Sequence, residues 1–264
     1  MLELININKT FNKGTVNEKK AISSLNFKME KGDFVTVIGG NGAGKSTMLN
    51  LISGTILPDS GKIFLDNADI TYKKEHKRAK EIGRLFQDPL KGSAPSMTIE
   101  ENMCLAFARG SKIGITIGTS KKDREMFKEA LSMLNLGLEN RLKTKMGLLS
   151  GGQRQAVTLL MATLTTPKLL LLDEHTAALD PATAEKVLDI TEKIVGENKI
   201  TTLMITHNIK SALDIGNRTI MMNNGEIVLD ISGEDRRNMS VEDVLNLFKQ
   251  KSNEELDNDR MLLV

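Results

Sequence analysis

The chain has 264 residues, with 36 Lys and Arg against 34 Asp and Glu for a formal net charge of +2, a balance that argues against a nucleic acid or an anionic membrane surface bound through bulk charge. Its 40% hydrophobic content is enough to bury a substantial core, in one large domain or two small ones. The single cysteine, Cys104, excludes an internal disulfide; in the apolar stretch 103–108 it reads as a buried helical thiol, in keeping with a reducing cytoplasm.

From the start, residues 1–11 alternate apolar and polar side chains like a strand and lack the basic-then-apolar order of a signal peptide, so no export is expected. Strands are predicted at 2–7, 22–29, 34–38 and 62–65, with a helix running from the glycine-rich stretch after residue 38 to about Ser53. From 90 to 167 the pattern turns helical. Thr98 with Glu101 makes a capping box, and 121–136 and 151–164 carry helical apolar spacing. Strands at 169–172, 202–205 and 219–222 then alternate with helices at 181–195 and 208–213, the βαβ sign of a parallel sheet. Asn224 and Gly225 turn a hairpin into 226–231, and a helix from about Ser240 to Gln250 closes the fold. The longest apolar run, 169–172, stops at Asp173, far short of the about 20 residues of a membrane helix.

Residues 39–47 read GGNGAGKST and follow the apolar strand 34–38. Gly39, Gly44, Lys45 and Ser46 match the phosphate-binding loop pattern G-x-x-x-x-G-K-[ST] in the strand-to-helix context the motif requires. Gly39, Gly40, Gly42 and Gly44, with Asn41 and Ala43 between them, allow the backbone N–H groups to converge on polyphosphate. Lys45 adds a point charge near the β and γ groups, Ser46 offers Mg²⁺ a hydroxyl, and Thr47 caps and packs. Further on, LLLLDEH delivers Asp173 and Glu174 at the C-terminal end of a buried strand, where open α/β sheets place ligands. Asp173 is expected to hold Mg²⁺ through water, and Glu174 to polarise the water that attacks the γ-phosphate. Ser150, Gly151 and Gly152 stand at the predicted start of a helix, where N–H groups and a hydroxyl face an anion. Asp180 before Pro181 is an N-cap followed by proline at the first helical position.

Taken in order, GGNGAGKST, Gln87, LSGGQ (residues 149–153), LLLLDE, Asp180 and His207 resemble an ATP-binding cassette (ABC) ATPase over nearly the whole chain. The resemblance implies a P-loop NTPase core with a mixed or parallel sheet, an N-terminal antiparallel β subdomain and an inserted helical subdomain. On that reading 1–89 and 166–250 form the nucleotide-binding core, 90–165 the helical signature subdomain and 251–264 a tail of unread function. It also implies a head-to-tail dimer in which Ser150, Gly151, Gly152 and Gln153 of one chain cover the γ-phosphate held by the other, with Asp180 contributing across the pair. Gln87 is placed to contact Mg²⁺ and the attacking water, and His207 to bond the γ-phosphate and orient Glu174. Phe11 is the candidate that stacks on adenine, although the family usually has tyrosine there and the insert-like 14–20 lengthens the spacing. Residues 88–98 resemble the surface on which a membrane subunit docks.

Two positions depart from the family pattern: DEHT stands where DEPT is common, and RQAVTLLMATL follows LSGGQ where an alanine-arginine-alanine pattern is usual. Neither removes a catalytic group. They point to an importer-associated subgroup similar to ATPases paired with a solute-binding lipoprotein and a permease, some resembling aromatic amino-acid uptake systems. The basic stretch 111–124, with Lys112, Lys121, Lys122 and Arg124, has no aromatic partners and reads as a solvated face rather than a nucleic-acid platform; a place near lipid headgroups would also suit it. His76 reads as a surface helix residue and His175 as a loop residue. The implied protein is a cytoplasmic ATPase, peripheral on the inner face of the cell membrane, using ATP and Mg²⁺ and working with a second copy of itself, integral-membrane permease subunits and an extracellular solute-binding protein. The competing readings are a soluble cassette ATPase for cofactor or cluster assembly and a lipid or lipoprotein extrusion ATPase.

Overall fold

The computed structural model describes residues 1–88, 90–109 and 120–252. The chain divides into two compact units, Met1–Arg78 together with the chain from Ile200, and Ala79–Lys199. The first stretch contains β1 (Leu2–Phe11), β2 (Lys19–Met29), β3 (Phe34–Gly39), α1 (Lys45–Ser53), β4 (Ser60–Leu65), β5 (Ala68–Asp69) and α2 (Glu75–Arg78). The second unit contains β6 (Ile82–Leu85), α3 (Ile99–Ala108), α4 (Lys121–Ser132), α5 (Gly151–Thr163), β7 (Leu169–Asp173) and α6 (Pro181–Asn198). The chain returns to the first unit through β8 (Thr201–Ile205), α7 (Ile209–Asp214), β9 (Arg218–Asn223), β10 (Glu226–Ser232), α8 (Gly233–Arg237) and α9 (Val241–Ser252).

In the first unit β3 is central, parallel to both β8 and β9, and β10 returns antiparallel to β9. Every residue of β3 and β8 is buried, as expected of parallel strands covered on both faces. The hairpin between β9 and β10 turns through Asn224 and Gly225, both at positive φ (47° and 80°), the geometry an Asn-Gly pair favours. A second, antiparallel sheet runs in the order β2-β1-β4-β5. Within β1 the inward residues are Leu2, Leu4 and Ile7, a break in simple alternation. The register slips between Leu4 and Ile7, with Asn6 at φ 49°, and this bulge re-aims Ile7 into the core.

Two short helices in this unit escaped the apolar pattern because each is held by a buried arginine. Arg78 of α2 donates to the carbonyls of Leu51, Ile52, Thr71 and Lys73, and burial pushes its pKa down to about 10. Arg236 of α8 donates to the carbonyls of Ala212 and Ile215 and to the Thr219 hydroxyl. In both cases a cation satisfies the carbonyls that helix ends leave over.

In the second unit β6 and β7 pair in parallel. Helix α5 is buried from Gln155 through Thr163 without interruption, the mark of a helix covered on all sides. Capping boxes start α3 (Thr98 with Glu101), α4 (Ser120 with Asp123) and α5 (Ser150 with Gln153). Helix α4 stops at Ser132 rather than 136, because Asn135 and Gly137 adopt left-handed conformations (φ 52° and 68°). Cys104 is helical but only half-buried. Among the described residues no helix is long and apolar enough to cross a membrane.

Candidate active site

The glycine-rich loop lies in the first unit between β3 and α1. Gly39, Gly42 and Gly44 have φ of 148°, 80° and 104°, a region that L side chains avoid. A methyl on Gly39 would collide with the Met222 carbonyl, and one on Gly44 would stand 2.8 Å from the Ala21 carbonyl. The loop is therefore fixed by its neighbours in a form only glycine accepts. Gly44 caps α1, a nine-residue helix, with no side-chain hydrogen bond, and the positive end of a helix placed there favours an anion. Lys45 is buried, and its Nζ donates to the carbonyls of Gly39 and Gly40 at 2.8 and 3.0 Å, so the ammonium is stored inside the loop. Asn41, Gly42 and Ser46 are exposed, Gly40 and Thr47 half-buried, and Ala43 buried.

Phe11 ends β1 opposite Lys19 and is 37% exposed, with Lys9 Nζ 5.8 Å from its ring centre. It is not a core residue, and its ring is accessible. The neighbouring Lys19 is a cation that the sequence reading missed: a methyl on Gly42 would lie 3.1 Å from its Nζ. No local motif marks that lysine, since it reaches the loop only through the β1–β2 ladder. His207 is half-buried, two residues after β8, and Asn208 behind it caps α7 by accepting from the Ser211 N–H.

The second unit holds Gln87, the signature turn and the acidic strand end. Gln87 is exposed, two residues after β6. Ser150 and Gly151 are exposed at the start of α5. Ser150 Oγ accepts from the Gln153 N–H at 3.3 Å, and Gln153 Oε1 accepts from the Ser150 N–H at 3.2 Å. Gly152 is buried, and a methyl there would collide with Thr183 of α6; its identity is set by helix packing as well as by any ligand. Asp180 accepts from the Thr183 N–H at 3.1 Å at the start of α6, and the Thr183 hydrogen bonds hold its carboxyl below the usual range.

Asp173 ends β7 after four wholly buried leucines. Arg84 of β6 donates to its Oδ2 at 3.5 Å, a contact that no sequence motif announces. Glu174 follows at φ 46°, a strained conformation for this residue type of the kind that gathers at functional sites. The turn is closed by Ala177 N–H to the Glu174 carbonyl at 3.0 Å. His175 lies in that turn but is wholly buried, 3.2 Å from the Thr191 hydroxyl, and burial pushes its pKa down to about 4. It is thus an anchor of the turn, not simply a loop residue.

Ser46 and Asp173 each offer an oxygen of the kind Mg²⁺ takes. Among the described residues no group of three or more His, Cys, Asp or Glu side chains could hold a metal alone. Mg²⁺ commonly takes one or two protein oxygens together with nucleotide phosphates. The docking surface expected at 88–98 contributes Lys91, Gly92, Ser93 and Ala94 to a cavity of about 350 Å³. Of the basic stretch, 111–119 lie outside the described residues; Lys121, Lys122 and Arg124 belong to α4, where Arg124 pairs with the buried Glu100 at 2.8 Å. The tail beyond 252 also lies outside them.

A glycine-rich loop ahead of a helix, an acidic strand end and a capped helix start are the parts an ATPase needs, and comparison supplies the family. Residues 22–177 match the ABC transporter family, and the chain belongs to it. It is 45% identical to the tyrosine transport ATP-binding protein of Clostridioides difficile (strain R20291), over 94% of this chain and 99% of that protein. It is 33% identical to the phosphonates import ATP-binding protein of Treponema denticola, over 87% of this chain and 89% of that one. Among solved structures, a dimeric post-hydrolysis ATP-binding cassette bound to ADP and Pi superimposes with a TM-score of 0.75 at 31% identity, covering 88% of this chain and 98% of the other. The chain is an ATP-hydrolysing subunit of a transporter, on the α/β cassette fold with its antiparallel and mixed sheets.

Proposed function

We propose that this chain is the ATPase of a solute importer, acting as a head-to-tail pair of identical chains on the cytoplasmic face of the membrane. It would drive separate permease subunits fed by an external solute-binding protein. The observation that carries the reading is the open glycine cradle at α1, with Lys45 held ready inside it, in a chain whose relatives are named for tyrosine transport and phosphonate import. The first of those names favours an aromatic amino acid as the solute.

In the reaction, Gly39, Gly40, Asn41, Gly42, Ala43 and Gly44 wrap the phosphates, and Lys45 transfers its hydrogen bonds from its own loop carbonyls to the β and γ oxygens. Mg²⁺, held by Ser46, Gln87 and Asp173, would supply charge neutralisation on the transferring phosphoryl group. Glu174 accepts a proton from the attacking water, and His207 orients it while bonding the γ-phosphate. Phe11 stacks on adenine, and Thr47 packs beneath the loop. Ser150, Gly151, Gly152, Gln153 and Asp180 act on the nucleotide of the paired chain.

The test is capture of the chain from its native membranes in mild detergent, with co-purifying proteins identified by mass spectrometry. A stoichiometric polytopic partner with a solute-binding lipoprotein is the expected result. Soluble partners alone would contradict the transporter reading in favour of an assembly ATPase. A polytopic partner linked only to lipid or lipoprotein export would contradict import.

A further inference from the structure

Arg84 is not explained by the chemistry above. It lies in β6 opposite Leu171 of β7, and Asp173 is two residues beyond Leu171, so both side chains rise from the same face of this strand pair. The guanidinium stacks at 4.6 Å over the Phe86 ring and donates through Nη2 to Asp173 Oδ2 at 3.5 Å. Both side chains are largely shielded, with 12% and 14% of their surface exposed, so their attraction is screened less than a surface pair would be. The contact is long and single-pronged, unlike the short bidentate grip of a strong arginine–carboxylate pair. It biases the carboxylate without locking it. Arg84 also lines the cavity of about 350 Å³ with Lys91, Asn102, Leu105 and Arg109. The cavity gives the guanidinium room to withdraw from the carboxylate.

We infer that Arg84 is a positioning residue that competes with the divalent cation for the Asp173 carboxylate. The inference rests on the reading that Asp173 serves the metal. A fixed positive charge beside that oxygen lowers the local negative potential, so a divalent ion reaches it only as the arginine yields. Arg84 thereby sets how much divalent ion the nucleotide-loaded chain requires, and Phe86 holds its ring-stacked guanidinium near the carboxylate between cycles.

The probe is Mn²⁺, with its binding followed by electron paramagnetic resonance on the full chain saturated with a non-hydrolysable ATP analogue. Arg84→Gln is expected to bind Mn²⁺ about two- to fivefold tighter than wild type, the range of a partly shielded ion pair. Arg84→Lys, which keeps the charge, should stay near wild type, and in an Asp173→Asn background Arg84→Gln should bring no gain. Thermal melts and nucleotide affinity confirm that each variant is folded. If Asp173→Asn weakens Mn²⁺ binding while Arg84→Gln leaves it unchanged or weaker, the competition is refuted and the role of Asp173 stands. An equal gain in Arg84→Lys, or a gain that persists in Asp173→Asn, also overturns it. If Asp173→Asn itself leaves Mn²⁺ affinity unchanged, both the metal role and the inference fall.

Discussion

Helices α1 and α5 both begin at glycine-containing nucleotide motifs, yet their first turns are finished in opposite ways. At α1 the cap is Gly44, which has no side chain to cap with, while Lys45 donates to two carbonyls of its own loop. At α5 the cap is Ser150, and its box with Gln153 already satisfies both backbone groups. The first is capped by backbone alone. The second is capped by side chains, and the Ser150 hydroxyl that accepts from the Gln153 N–H keeps its own proton to donate. On the proposed function, a backbone-capped phosphate site and a side-chain-capped one follow from this difference.

The comparison breaks most visibly at the lysine. Lys45→Ala should weaken ATP binding by about 2 to 3 kcal/mol, roughly 30- to 150-fold in Kd, because a charge-assisted bond to phosphate is lost. Calorimetry showing unchanged affinity would end the argument for a phosphate site at α1. The packing half of the comparison is tested at Gly152. Gly152→Ala forces a methyl into the stiff Thr183 side chain and should cost about 1 to 3 kcal/mol of stability in urea unfolding. Gly151→Ala, which meets only the flexible tip of Leu179 at 3.1 Å, should cost much less, and Thr183→Ser should recover part of the Gly152→Ala loss.

A third test uses acid, because the signature unit also contains the buried His175. Its pKa falls from 6.5 to about 4 on folding, so the folded chain holds the ring neutral while the unfolded chain takes up a proton. The stability is fully present above about pH 6.5 and is lost as the pH falls towards 4, at about 1.4 kcal/mol per pH unit. Urea midpoints measured from pH 7 to 5 should fall in wild type and flatten in His175→Gln. Equal slopes in the two proteins would show that the ring is protonated when folded. A small effect is expected from Ser150→Ala, about 1 kcal/mol of stability for the lost cap. If thermal melts show the same loss with saturating ATP as without it, the box is structural and takes no part in nucleotide binding.

Much of this was legible wherever a local rule decides the outcome. The Thr98–Glu101 box, Pro181 after its Asp180 cap, the Asn224–Gly225 turn and the leucine run before Asp173 each declare their structure within a few residues. Helix α8 did not, because GEDRR reads as polar loop until Arg236 is seen buried against α7 carbonyls. The same is true of Arg84, Lys19 and His175. Their partners lie on other strands or helices, at separations no short pattern spans. The glycine loop and its place between strand and helix were readable, whereas the side chains around it depend on register and packing.

The most direct test of the account is light scattering on Glu174→Gln with and without MgATP. A chain that binds ATP, fails to hydrolyse it and shifts from monomer to dimer with nucleotide is the predicted result. Turnover at the wild-type rate, or a mass that nucleotide does not change, would contradict it.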